Sequence, residues 1–141
     1  MSTPFRTTRR VEFVDTDMAH IVHFSNFFRW MESAEVEFLR SLGLSVNMPW
    51  KEMKLGFPRV AASCDFLKPV TFQDVLDITV SVKRIGRKSI TYSFEFFHQG
   101  EVIARGQITA VCVREFPDQS FTSLEIPDEI RAKFPPVAEA P

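Results

Sequence analysis

The stretch from Asp15 to Glu35, DTDMAHIVHFSNFFRWMESAE, sets two carboxylates and two histidines just ahead of apolar residues at helical spacing. The first turn of a helix presents unpaired backbone N–H groups and a partial positive charge. A carbonyl lodged there would find donors for the oxyanion that forms when it is attacked. A carboxylate on the preceding loop would attack that carbonyl directly or draw a proton from water. These parts make a minimal hydrolytic site with no metal. Asp17 is the candidate carboxylate, and the competing reading is a turn or capping aspartate where a strand ends. Asp15, two residues away, reads as structural or as a partner that tunes the site, because two close carboxylates resist ionising together. His20 and His23 have the right ligand type for zinc or iron beside the aspartates. Their spacing matches no strong metal motif, however, so both read as lining the loop or pocket.

The elements that must position this segment follow from periodicity. Residues 5–14 alternate imperfectly, with Phe5, Val11 and Phe13 set against Arg10 and Glu12, and read as a first strand. From Asn26 to Leu42, Phe27, Met31, Ala34, Phe38 and Leu42 form one helical stripe. Phe28, Trp30 and Leu39 widen it, which predicts a deeply buried helix. Ser25 or Asn26 is placed to cap its start, and Gly43 to end it. Period two then takes over around Val60–Phe66, Leu76–Val82 and Ile90–Phe96, with a last long strand from about Glu101 to Arg114. RIGRK and HQGE supply turns, which suits an antiparallel meander. Pro127 begins a short final helix to about Phe134, and PPVAEAP reads as a frayed tail. One physical solution is an antiparallel sheet curled around a single central helix. Such a sheet leaves open edges, so self-association is expected.

Composition narrows the partners. The chain has 141 residues, fifteen of them Phe, and 45% hydrophobic residues, enough apolar material for one domain with a core. A net charge of −1 argues against non-specific nucleic-acid binding, which needs a basic surplus. MSTPFRTTRR lacks the apolar core of a signal peptide, and no apolar run is long enough to cross a bilayer. A cytoplasmic protein with no membrane partner is expected. Cys64 and Cys112 then read as buried reduced thiols.

VEFVDTDMAHIVHFSNFFRWMESAEVEFLRSLG resembles the signature of hotdog-fold thioesterases of the 4-hydroxybenzoyl-CoA thioesterase class. Asp17, Ala19, Ile21, Val22, Phe24, Asn26, Arg29 and Trp30 fall on that pattern. FLKPVTFQDVLDITVSVKRIGRKSITYSFEFF is similar to the second half of the same family. The resemblance implies an α+β hotdog fold, a five-stranded antiparallel sheet wrapped around one long central helix. It also implies hydrolysis of an acyl-CoA, with CoA as part of the substrate and no separate cofactor. Asp17 would be nucleophile or general base, and the backbone amide of Phe24 would polarise the thioester carbonyl. The family usually has glycine where this chain has His20, so the turn would be reshaped or His20 would enter the site.

Within that resemblance the remaining candidates for substrate contact are His20, His23, Ser25, Asn26, Glu32, Arg87 and Lys88. Glu32 reads equally as a solvated helix residue or as a carboxylate bordering the acyl pocket. Lys83, Arg84, Arg87 and Lys88 surround the RIGRK turn, and by composition alone they are a solvated hairpin end. In the family's fold the following strand lies near the CoA groove, which makes Arg87 and Lys88 candidates for its phosphates. The family also implies a homodimer or homotetramer with sites between subunits. Three rival functions stay open: an acyl-CoA or acyl-carrier-protein binder without turnover, a hydratase of the same fold, and a metal-dependent hydrolase using His20 and His23.

Overall fold

A computed structural model of the protein describes residues 3–137. The strand β1, Phe5–Arg10, leads through a short 3-10 turn, Phe13–Asp15, to the long helix α1, Ser25–Ser41. A hairpin of β2, Asn47–Trp50, and β3, Met53–Gly56, follows. Next come β4, Arg59–Phe66; β5, Val75–Ile85; β6, Ser89–His98; and β7, Glu101–Val111. Two short strands, β8, Val113–Glu115, and β9, Phe121–Ser123, precede a single helical turn, α2, Asp128–Arg131. The main sheet has five antiparallel strands, as expected; their order is β1-β5-β6-β7-β4, and α1 packs across it.

The alternation in β5 and β6 is realised: Ile78, Val80, Tyr92, Phe94 and Phe96 are all fully buried. They meet Phe27, Trp30, Met31, Ala34 and Phe38 of α1 in one core. Each large apolar side chain buried in this way stabilises the fold by about 1.5–3 kcal/mol. The helix sits tightest over Gly106 of β7, where an added Cβ would stand 2.4 Å from Met31 Sδ and 2.8 Å from the Ser63 carbonyl. Gly43 ends the helix as expected, at φ +77, with the Gly43 and Leu44 amides closing on the Arg40 and Leu39 carbonyls.

Several expectations are corrected. The first strand stops at Arg10 instead of running to residue 14, because Val11 turns away to exchange backbone bonds with Asp74 and Gln73. Phe13 and Val14, beyond that point, are exposed. The connection after α1 is a β-hairpin, and the last long strand breaks at Cys112. There the chain crosses from the main sheet into a second one of order β2-β3-β8-β9. Neither Ser25 nor Asn26 caps α1: Phe24 occupies the cap position with a side chain that makes no cap bond, and the His23 ring accepts the Ser25 amide instead. The final helix spans only Asp128–Arg131. Of the expected frayed tail, residues 138–141 lie outside the described residues, and Pro135 to Val137 line a cavity with Phe5 and Leu42. Cys64 and Cys112 are free thiols, each pushed up to about 11 chiefly by burial.

A buried carboxyl breaks the apolar stripe of α1. Glu35 lies on the inner stripe of α1, fully buried. Arg59, at the start of β4, donates from Nε to Glu35 Oε1 at 2.9 Å. Its Nη2 stands 2.7 Å from the same oxygen without a hydrogen-bonding angle. Burial holds the Glu35 carboxyl above its ordinary range, and Arg59 pulls it back only in part. Removing one partner of a buried pair strands the other charge, which typically costs 3–5 kcal/mol. Arg59→Met is therefore expected to lose roughly 3 kcal/mol in urea unfolding at neutral pH or above. A carboxyl whose folded pKa is raised destabilises the fold more as pH rises through its titration. The deficit should accordingly shrink as pH falls and Glu35 takes up a proton. A deficit that is equal at about pH 8 and about pH 5.5 would count against a stranded carboxylate.

Candidate active site

Between β1 and α1 the chain makes a compact double turn. Thr16 and Val22 form an isolated antiparallel bridge that pinches the loop at its base. Inside it, the Asp17 amide donates to the Ile21 carbonyl and the His20 amide to the Asp17 carbonyl, both at 2.9 Å. The Ala19 amide donates to Asp17 Oδ1 at 2.8 Å, an Asx turn of the kind short acidic side chains favour. One carboxylate oxygen is thus engaged by the loop. Asp17 is half-buried.

His20 closes this turn at φ +66. The left-handed region is open to glycine but costs other L-residues about 1–2 kcal/mol. So the chain keeps a glycine-type backbone at the position where the family resemblance expects glycine, and His20 bears the strain. Its carbonyl accepts the Thr71 hydroxyl at 2.6 Å, and the Val22 amide donates to the Val70 carbonyl at 2.8 Å. The loop before β5 therefore braces the turn from outside.

Asp15 is buried and structural. Its Oδ2 accepts the Glu12 amide, and its carbonyl accepts both the His23 amide and the buried Asn26 side-chain amide, all at 2.8 Å. Asn26 Oδ1 accepts Arg29 Nη1 at 3.0 Å, so both ends of the Asn26 amide are engaged. His23 stacks on Phe24 at 4.7 Å, and its Nδ1 meets the Ser25 hydroxyl at 2.8 Å and the Ser25 amide at 3.3 Å. At the head of α1 the Asn26 and Phe27 amides go to the His23 and Phe24 carbonyls. Among the described residues the Phe24 N–H meets no acceptor.

Asp17 and Phe24 line one pocket of about 470 Å³. Its walls are Phe27 and Phe66 with Ile21, Val22, Leu67, Pro69 and Val70, and Lys68 is the cation among them. Phe66 lies 5.2 Å from Phe27 and 6.3 Å from Phe24, ring centre to ring centre. The wall from Phe66 to Val70 had no assigned role in the sequence, although it falls within the second stretch that resembles the family. Its usable signal was the exposed apolar run after β4: Phe66 is 46% and Leu67 48% exposed.

The other candidates lie elsewhere. His20, His23 and Ser25 are exposed beside the pocket without lining it. Glu32 is exposed, and its nearest charge is Arg59 at 3.8 Å, away from Asp17. Arg87 pairs with Glu125, and Lys88 Nζ lies 3.3 Å from Ser123 Oγ, both at the β5–β6 turn. The Asp17 loop touches Val70 and Thr71, before the opposite end of β5. Eleven residues of strand separate the two ends, about 30 Å. Among the described residues no group of three His, Cys, Asp or Glu side chains is arranged to hold a metal ion, and no helix is long and apolar enough to cross a membrane.

A model of the thioesterase-like superfamily matches residues 11–134. A 1,4-dihydroxy-2-naphthoyl-CoA hydrolase from Nostoc punctiforme is 31% identical over 126 residues, 89% of this chain and 83% of its own length. The solved structure of a gentisyl-coenzyme A thioesterase is 35% identical with a TM-score of 0.78, over 93% of this chain and all of that one. A 4-hydroxybenzoyl-CoA thioesterase from Pseudomonas sp. strain CBS-3 shares the hotdog fold at 22% identity, with a TM-score of 0.79 over 94% and 99% of the two chains.

The Asn26 amide can be tested without reference to activity. Asn26→Asp keeps the size and the acceptor for Arg29 but removes the donor that meets the Asp15 carbonyl. A loss of about 2 kcal/mol in urea unfolding is expected, with faster hydrogen exchange at the neighbouring His23 amide. An unchanged midpoint would show that this bond contributes little to the junction.

Proposed function

The chain belongs to the thioesterase-like superfamily, and from that premise we propose that it hydrolyses an aromatic acyl-CoA to the free acid and CoA at the pocket beside Asp17. That it is a thioester hydrolase follows from the family and from relatives named for that reaction. One observation supports the aromatic substrate above others: a single carboxylate borders a pocket walled by Phe24, Phe27 and Phe66. Aromatic rings present edges and faces to a planar acyl group in the offset and edge-on arrangements such groups favour. The two relatives carry aromatic acyl groups in their names, dihydroxynaphthoyl and gentisyl.

In this reading the thioester carbonyl rests against the head of α1, where the Phe24 N–H and the helix dipole stabilise the oxyanion. Asp17 either attacks the carbonyl carbon, expelling the CoA thiolate and leaving an acyl anhydride for water to cleave, or takes a proton from the attacking water. Both routes consume one water and release one acid and one thiol, and neither needs a cofactor. Single-turnover hydrolysis in isotopically labelled water separates them.

The assembly belongs to the same proposal. β4 is an edge strand of the main sheet with Val60 62% exposed, so a second copy is the natural partner for that edge. Arg87 and Lys88 lie a strand's length from their own Asp17, and we assign them to the CoA of another copy's site, in a homodimer or homotetramer. Glu32 then faces that boundary rather than the acyl group.

Asp17→Asn tests the centre of the reading. Asparagine retains the oxygen that accepts the Ala19 amide but is neither a base nor a nucleophile. A kcat at least ~100-fold lower is expected for aromatic acyl-CoA, with KM changed only a few-fold, measured as thiol release. Wild-type turnover by this variant would remove Asp17 from the chemistry. Equal kcat/KM for aliphatic and aromatic thioesters would remove the aromatic assignment.

A further inference from the structure

We propose that Thr71 is a positioning residue for Asp17, acting through the strained carbonyl of His20; this rests on the reading of Asp17 as the catalytic carboxylate. The geometry runs through four links. Thr71 Oγ1 donates to the His20 carbonyl at 2.6 Å. His20 sits at φ +66, a conformation that side-chain-bearing residues leave readily unless something holds them. The His20 amide donates to the Asp17 carbonyl, and the Asp17 amide to the Ile21 carbonyl. Any relaxation of His20 therefore moves both backbone anchors of Asp17.

Thr71 is itself held from behind. Its amide donates to Asp74 Oδ2 at 2.9 Å, and the Asp74 amide returns a bond to the Thr71 carbonyl at 3.1 Å. The Val11 amide donates to the Asp74 carbonyl at 2.8 Å, and the Gln73 amide to the Val11 carbonyl at 2.9 Å. The hydroxyl thus projects from a loop fixed to the end of β1, and it reaches a turn that lacks the freedom of glycine. Thr71 does not itself line the pocket, so its contribution is to the placement of the carboxylate and not to binding. Misplacement of a reacting group by about 1 Å can cost up to a hundredfold in rate, which makes a tenfold effect reasonable for one lost strut.

Thr71→Val keeps shape and the bond to Asp74 but removes the hydroxyl. Because Thr71 is exposed, the urea midpoint should stay near that of the wild type. We expect kcat for an aromatic acyl-CoA about tenfold lower with KM within about twofold, and recovery in Thr71→Ser. The distinguishing arm is a cycle with His20→Gly, where the turn needs no support. In that background Thr71→Val should cost less than about threefold. Wild-type kcat in Thr71→Val, while Asp17→Asn is inactive, overturns the role of Thr71 alone. An equal loss in the His20→Gly background overturns the route through the strained carbonyl. Activity that survives Asp17→Asn overturns the parent reading, and the positioning role with it.

Discussion

Two donors converge on the carbonyl oxygen of Asp15: the His23 amide and the buried side chain of Asn26, each at 2.8 Å. That oxygen is where the end of the first segment is tied to the head of the central helix. Everything between, residues 16–22, is a loop whose two ends are thereby fixed, so its shape is decided by its internal bonds and by the Val70 and Thr71 contacts that brace it from outside. A buried acceptor with two partners also resists opening, because neither donor finds water if it leaves. The head of α1 is thereby held against the loop that carries Asp17.

The same helix carries a second polar commitment in its middle. Glu35 and Arg59 join α1 to the edge strand β4 through a pair that apolar residues could have replaced without loss of stability. Burial also pushes up the neighbouring Tyr92 hydroxyl, whose environment is shared with this charge. The core therefore holds one ionic link in a wall of phenylalanine.

Much of the fold was legible because it depends on period alone. The stripe Phe27, Met31, Ala34, Phe38 and the alternation Ile90, Tyr92, Phe94, Phe96 each demand one buried face, and each has it. Local pattern failed where a tertiary bond won. Phe13 continues an alternating run but lies outside because Val11 has already turned to Asp74. Asn26 has the side chain of a cap, yet its Oδ1 accepts from Arg29 and its Nδ2 donates to a buried carbonyl eleven residues back. The second sheet was invisible because its strands are only three or four residues long. At the site, Asp17 was a candidate from its place ahead of the helix and from the family resemblance, and Phe24 from the resemblance alone; both line the pocket. Thr71, Phe66 and Lys68 were not, since nothing in residues 66–71 shows that they meet a loop some fifty positions earlier.

That separation has a kinetic consequence. The pocket closes only when the Val22 amide finds the Val70 carbonyl, a contact that spans most of the first half of the chain. Helix α1 and the β5–β6 hairpin can form from neighbours in sequence, but this contact must await the docking of β4 and its following loop onto them. The cavity thus rests on a contact of long sequence separation, whereas α1 and the β5–β6 hairpin rest on bonds between neighbours in sequence. The place for substrate is built from parts far apart in the chain.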